Sequence, residues 1–175
     1  MSVPTGRAHT ISLVVENKSG VLARVAQLIA AKGYNIESLS VGATHDESTS
    51  QMTLVVRGDE WVIEQACKQL NRLIDVIKVV DVTDEPTVER ELVLVRVSSE
   101  GAARAEICRI ADIFRANVVD ATPQAFTLQL AGTHDKIDAF IELLRPWGIK
   151  RLYSTGKVVM PRASRTRSGS RPSPI

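Results

Sequence analysis

The segment ENKSG (16–20) lies between a run rich in β-branched residues, HTISLVVEN (9–17), and a run with helical spacing that begins at Val21. At such a strand-to-helix junction the first backbone N–H groups of the helix lack partners and the helix dipole favours an anion. Asn17 offers an amide donor and acceptor, Ser19 is placed to cap, and Gly20 lets a ligand approach the backbone closely. A small molecule bearing both a carboxylate and an amine suits this turn. The same residues serve equally as a polar strand–helix turn with a cap, and spacing alone allows both. Asn35, just after Gly33 and Tyr34, stands at the start of the next strand, where a turn hydrogen bond is its simplest role.

Other chemistry is sparse. Cys67 and Cys108 sit inside apolar helical patterns and read as small buried hydrophobes, with neither a disulfide framework nor a paired metal motif. His9, His45 and His134 are scattered, so no metal site is expected. The acid pairs Asp46/Glu47, Asp59/Glu60 and Asp84/Glu85 fall in turns and helix starts, where solvated caps explain them. Neither GxGxxG nor GxxxxGK[ST] occurs, so dinucleotide and P-loop sites have no support. Nothing here reads as a free-standing enzyme, and no catalytic residue is assigned.

The whole chain has 175 residues, 44% of them hydrophobic, enough for one good core or two small ones. Its formal charge of +2 is an uneven average: residues 1–150 carry −4 and residues 151–175 carry +6. The basic character belongs to the end of the chain and does not suggest nucleic-acid binding. No apolar run approaches membrane-spanning length and the N-terminus lacks a signal-like apolar segment, so a cytoplasmic protein without membrane partners is expected.

The elements that must hold these residues repeat once. A strand (9–17) leads to a helix carrying Val21, Leu22, Val25, Leu28 and Ile29, which Gly33 ends. Residues 35–43 and 51–58 form a hairpin. Asp59 caps a helix carrying Val62, Ile63, Ala66, Leu70 and Leu73, and residues 75–83 close the unit. Beyond DEPT the order recurs. A strand at 89–97 places Leu92, Leu94 and Arg96 on one side, and a helix carries Ile107, Ile110, Ala111 and Phe114. Two short strands follow (117–122, 124–130), then a helix from Thr133 as cap and a final strand over 149–159. This predicts an α+β protein of two ferredoxin-like βαββαβ domains in tandem. The boundaries are 8–83, a linker at 84–88, 89–160, and a disordered basic tail at 161–175 whose composition cannot bury enough surface to order itself. Helices on one face of each sheet leave the other face to meet protein, either a second copy or the other half.

ENKSGVLARV (16–25), KGYNIESLSVG (32–42), DVIKVVDVT (75–83), VERELVLVRV (88–97), IFRANVVDATP (113–123) and FTLQLAGTHDKIDAFIELLRP (126–146) together resemble the small, regulatory subunits of acetolactate synthase (acetohydroxyacid synthase) over residues 8–160. The resemblance implies an ACT domain in the first half that dimerises and binds a branched-chain amino acid, chiefly valine, at the interface. It also implies a partner, the large catalytic subunit with thiamine diphosphate, Mg²⁺ and FAD, which condenses two pyruvates to 2-acetolactate and CO₂. This chain would hold no cofactor of its own, activate that partner and confer feedback inhibition by valine.

Carried onto this sequence, the effector site comprises Asn17, Lys18, Ser19, Gly20, Val21 and Leu22, with Asn35 completing it from the neighbouring subunit; Leu22, Ile36 and Val41 are its apolar lining, residues that core packing explains as well. Gln129, Leu130, Ala131 and Gly132 are implied partner contacts, equally explicable as strand and capping residues. The second junction, SSEGAA (98–103), lacks the Asn and the following Val-Leu, so no second valine site is assigned there. The alternative is an amino-acid-binding ACT module without a catalytic partner. A transcriptional regulator would need a helix-turn-helix, for which two βαββαβ units leave no room.

Overall fold

In the computed structural model, which describes residues 6–163, the chain folds as two βαββαβ units. The first runs β1 (Arg7–Glu16), α1 (Val21–Ala31), β2 (Asn35–Ala43), β3 (Thr49–Gly58), α2 (Glu60–Leu70) and β4 (Val76–Asp81). The second runs β5 (Thr87–Ser98), α3 (Ala103–Phe114), β6 (Asn117–Ala121), β7 (Ala125–Gly132), α4 (His134–Leu144) and β8 (Ile149–Ser154), followed by β9 (Val158–Pro161). The strand orders β2-β3-β1-β4 and β6-β7-β5-β8 are the same antiparallel topology used twice.

Alternation explains the layers. Ile11, Leu13 and Val15 of β1 point to the helices and are fully buried, as are Val93, Val95 and Val97 of β5. Each half has its own core cluster. In the first, Val25 and Ile29 of α1 and Ile63, Ala66 and Leu70 of α2 close over the sheet; in the second, Ile107 and Ala111 of α3 and Ile137, Phe140 and Leu144 of α4 do so. Asp59 caps α2 as expected, its side chain accepting from Val62 N–H at 2.8 Å. Thr133 occupies the N-cap position of α4, but its hydroxyl makes no capping bond.

Three boundaries differ from the sequence expectation. The linker is shorter, because Thr87 and Val88 already belong to β5. The last strand is two: β8 ends at Ser154, Gly156 turns the chain with φ +72°, and β9 pairs with the opening residues of β5, Thr87 to Pro161 and Arg90 to Val158. Periodicity in so short a segment shows no break, yet only a residue tolerant of positive φ turns it here. Nor does the body stop at 160. Pro161 is in β9, and Arg162 donates from N–H to the Pro86 carbonyl at 2.9 Å and from Nε to the Thr87 carbonyl at 3.2 Å. The remainder of the predicted tail, residues 164–175, lies outside the described residues.

The two sheet faces turned away from helices have different fates. In the first half, β9 lies opposite Val14, Val80 and Val82 across an apolar groove of about 580 Å³, and Val82 and Val159 are buried. Packing between the halves is thus one way an open face finds protein. The second sheet's face has no such cover among the described residues.

On α2, burial pushes the Cys67 thiol up from 9.0 to about 11, with Asp81 adding to the effect. A thiol held neutral in the fold but free to ionise when unfolded favours unfolding as pH rises from about 9 towards 11. Two outcomes are expected in a Cys108→Ser background: alkylation of Cys67 at pH 8 stays slow until denaturant unfolds the first half, and Cys67→Ala flattens the loss of Tm over that alkaline window. Mass spectrometry and calorimetry check them.

Candidate functional site

The loop between β1 and α1 is fastened from three sides. Asn17 donates from its backbone N–H to the Ser48 carbonyl at 2.7 Å and from Nδ2 to the Glu47 carbonyl at 2.9 Å, tying the loop to the β2–β3 turn. Glu16 N–H donates to the Asp75 carbonyl at 2.8 Å, tying it to the turn before β4. From α1, Arg24 Nη2 reaches within 2.8 Å of the Asp75 carboxylate. The approach is an ion contact outside hydrogen-bond geometry, and it leaves Asp75 Oδ2 buried without a hydrogen bond.

The helix start is set by Gly20, not Ser19. Gly20 is the N-cap with φ +83°, a left-handed conformation, and no side chain caps the helix. Ser19 therefore does not do the capping expected of it. Val21 N–H reaches the Lys18 carbonyl only at 3.4 Å, and Leu22 and Ala23 N–H have no backbone acceptor among the described residues. These donors sit at the positive end of the α1 dipole, which suits a carboxylate. Asn17 keeps its side-chain oxygen free of any partner among the described residues, ready to accept from an amine. Lys18 Nζ pairs with Glu16 at 2.7 Å; that hydrogen bond and charge raise its pKa and keep it protonated, while the Glu16 carboxylate offsets its charge.

The structure sorts the predicted effector residues into two groups. Asn17, Lys18, Ser19 and Gly20 are exposed on the loop, and Leu22 (42% exposed) and Val41 (45%) stand at the same end of the sheet on its helix-bearing side. Val21 belongs to neither group, because its side chain is in the core. Asn35 and Ile36 lie at the opposite end. Asn35 pairs with Arg57, whereas Glu16 pairs with Thr49, eight residues earlier on β3. At about 3.4 Å per residue, roughly 27 Å separates Asn35 from the loop within one chain. No sequence signal shows that separation; it follows from strand register.

Of the implied partner contacts, Gln129 and Ala131 point to the open face of the second sheet, paired with Leu94 and Leu92. Leu130, 1% exposed, is core, and Gly132 is also buried, so neither is presented to a partner. A cavity of about 610 Å³ lies between the halves and contains none of the predicted residues. On its lining His134 contacts Glu91 of β5 at 3.2 Å, a polar pair that the sequence did not flag because its members lie on separate elements.

Tandem βαββαβ units with a donor-rich strand–helix loop place this protein in the class of ACT-type regulatory chains. Comparison with known proteins narrows the class. A family model described as the small subunit of acetolactate synthase matches residues 90–163, and one described as the AHAS small subunit-like ACT domain matches residues 11–78. The chain is 56% identical to the acetolactate synthase small subunit of Aquifex aeolicus over 89% of this chain and 82% of that one. It is 52% identical to the probable small subunit of Archaeoglobus fulgidus over 90% and 98%. The crystal structure of the Thermotoga maritima small subunit superposes with a TM-score of 0.81 at 34% identity, covering 90% and 98%. The chain belongs to the acetolactate synthase small-subunit family, and its role is regulatory, alongside a catalytic transferase partner.

A side chain at Gly20 meets only Arg24 Nη1, at 3.5 Å, so the obstacle to substitution is the backbone angle rather than space. Gly20→Ala is expected to cost about 1–2 kcal/mol. Calorimetry should show Tm falling by roughly 2–4 °C per kcal/mol. A Tm equal to that of the unaltered chain would mean that the left-handed turn is not held in solution.

Proposed function

We propose that this chain activates a thiamine-diphosphate-dependent large subunit, carrying Mg²⁺ and FAD, that condenses two pyruvates to 2-acetolactate and CO₂. It makes that enzyme subject to feedback inhibition by a branched-chain amino acid, chiefly valine. The effector lies between two copies of the first domain in a cytoplasmic homodimer. Family membership supports the catalytic partnership. The observation that carries the effector reading is the distance of Asn35 from the loop that it is expected to complete.

The free edge of β2 resolves that distance. Among the described residues β2 pairs only with β3, so its other edge offers N–H and C=O groups to a second copy. Antiparallel pairing of β2 with its symmetry mate about a two-fold axis joins two four-stranded sheets into one of eight. Such pairing sets the Asn35 end of one strand beside the Ala43 end of the other. That end carries the 44–48 turn to which Asn17 is bonded. Asn35 then faces the loop of its neighbour, and Ile36 from one copy meets Leu22 and Val41 from the other. The N–H groups of loop 17–20 and of α1 take the effector carboxylate, Asn17 and Asn35 take its amine, and the three apolar side chains enclose a branched aliphatic group.

Feedback follows from differential binding. An effector that needs two copies in one arrangement stabilises that arrangement, and the catalytic subunit responds as far as it prefers the other. Removing a hydrogen bond to a charged group costs about 1.5–3 kcal/mol. Asn17→Ala and Asn35→Ala are therefore each expected to weaken valine binding at least about tenfold by titration calorimetry. Random mixing of the two variants should restore about a quarter of the wild-type sites, since only a mixed dimer has one intact pair. No restoration would place both residues in one chain. Loss of valine inhibition without loss of pyruvate turnover in the reconstituted enzyme completes the test.

A further inference from the structure

We propose that the open face of the second sheet, centred on Arg151 and Tyr153, is the surface on which this chain docks an acidic segment of its catalytic partner, flanked by apolar residues. The proposal rests on the regulatory-subunit reading and adds the surface and the chemistry that the surface selects.

Strand register assembles the face. Leu94 pairs with Tyr153 and Arg96 with Arg151 between β5 and β8, while Leu94 pairs with Gln129 and Arg96 with Thr127 between β5 and β7. Paired residues share a side of the sheet, so Leu94, Arg96, Thr127, Arg151 and Tyr153 surround one shallow concavity of about 160 Å³. Two like charges directly opposite each other weaken a strand pair. The sheet relieves this on one side only. Arg96 leans away towards β7 and β6, donating from Nε to Thr127 Oγ1 at 3.0 Å and from Nη2 to Asp120 Oδ2 at 3.3 Å. Arg151 is exposed and has no anionic partner among the described residues. Beside it, Tyr153 is 63% exposed. Exposed arginine and tyrosine around an apolar floor are the residue types that anchor protein interfaces.

Charge selects the occupant. A second copy laid face to face would set Arg96 and Arg151 against the same pair, adding like charge to a site that already has an excess. An extended nucleic-acid backbone needs a track of cations, and here one arginine is unmatched while the other is held by Asp120. A carboxylate from another protein pairs with Arg151, accepts from the Tyr153 hydroxyl, and lets a neighbouring aliphatic side chain cover Leu94. β9 crosses the corresponding face of the first sheet, so the same requirement is met there from within the chain.

The test uses the full-length chain and its large subunit, reading the concentration of this chain that gives half-maximal activation at several salt concentrations. Arg151→Glu is expected to raise that concentration about tenfold or more and to flatten its dependence on salt, with Arg151→Ala and Tyr153→Ala giving smaller increases in the same direction. Valine binding to each isolated variant is expected to stay at the wild-type level, which separates docking from folding; should Arg151→Glu fail to fold, the two alanine variants carry the test. Activation by Arg151→Glu at wild-type concentration overturns the proposal. So does a fall in the mass of the isolated chain by sedimentation, which would assign the face to a second copy. A wild-type chain that fails to activate the large subunit refutes the regulatory reading instead.

Discussion

The relation between the two halves depends on β5 serving two ladders at once. Its first residues, 87–90, pair with β9, and residues 91–98 pair with β7 while the middle of the same stretch pairs with β8. A single strand cannot turn independently at its two ends, so the sheet that organises the second core also fixes where β9 lies. β9 in turn faces Val14, Val80 and Val82 of the first sheet. The return of the chain is equally tight. A Cβ at Gly156 would come within 3.1 Å of Ser38 Cβ on β2, closer than ordinary packing allows, and Arg162 closes on Pro86. Val82 is buried, with its N–H on the Thr10 carbonyl, so little slack is left before β5 begins. The halves are thereby coupled through strands and backbone bonds rather than joined by a loose tether.

That coupling connects the β1–α1 loop to the cleft between the halves. Asn17 binds the turn between β2 and β3, and β2 is both the free edge and the strand approached by Gly156 of the other half. The cleft between the halves is lined by Glu37 and Arg57 from one side and by Glu91 and His134 from the other, with Arg57 Nε on Glu37 at 2.6 Å. A ligand that fixes two copies edge to edge acts on the element that also borders this cleft. Coupling of this kind requires only that the bound and free arrangements differ in their contacts, and β2 takes part in both sets.

Much of this was legible in the residues because the signals were local. Two-residue alternation placed Ile11, Leu13 and Val15 inside, helical spacing placed Ile107 and Ala111 inside, and Asp59 announced the start of α2. The misreadings share a cause: each depended on a backbone angle or a register that composition does not carry. Ser19 has the side chain of a cap, but Gly20 takes the cap position in a left-handed conformation. Leu130 sits in a motif with partner-like neighbours, yet in a strand every second residue turns inward, and Leu130 is one of these. The pairing of Arg96 with Arg151, 55 residues apart, exists only once β8 is aligned against β5. Gly20 and Asn35, expected from the sequence to share one site, likewise look close, separated by one helix, and register alone sets them apart.

The two copies of one fold differ in the surfaces that they leave open. In the first half the strand–helix junction is open: Gly20 caps, the loop is polar, and donors point outward. The second junction also exposes Glu100, Gly101 and Ala102, but the groups beside it are engaged within the chain. Ser99 is 1% exposed and its N–H is bound to the Gln124 carbonyl, while the Arg104 guanidinium lies 4.2 Å over the Phe126 ring and donates to the Thr122 carbonyl at 3.0 Å. The opposite holds for the sheet faces, where the first half is crossed by β9 and the second is left uncovered. The exposed polar junction of the first half and the uncovered sheet face of the second thus lie on different copies of the same architecture.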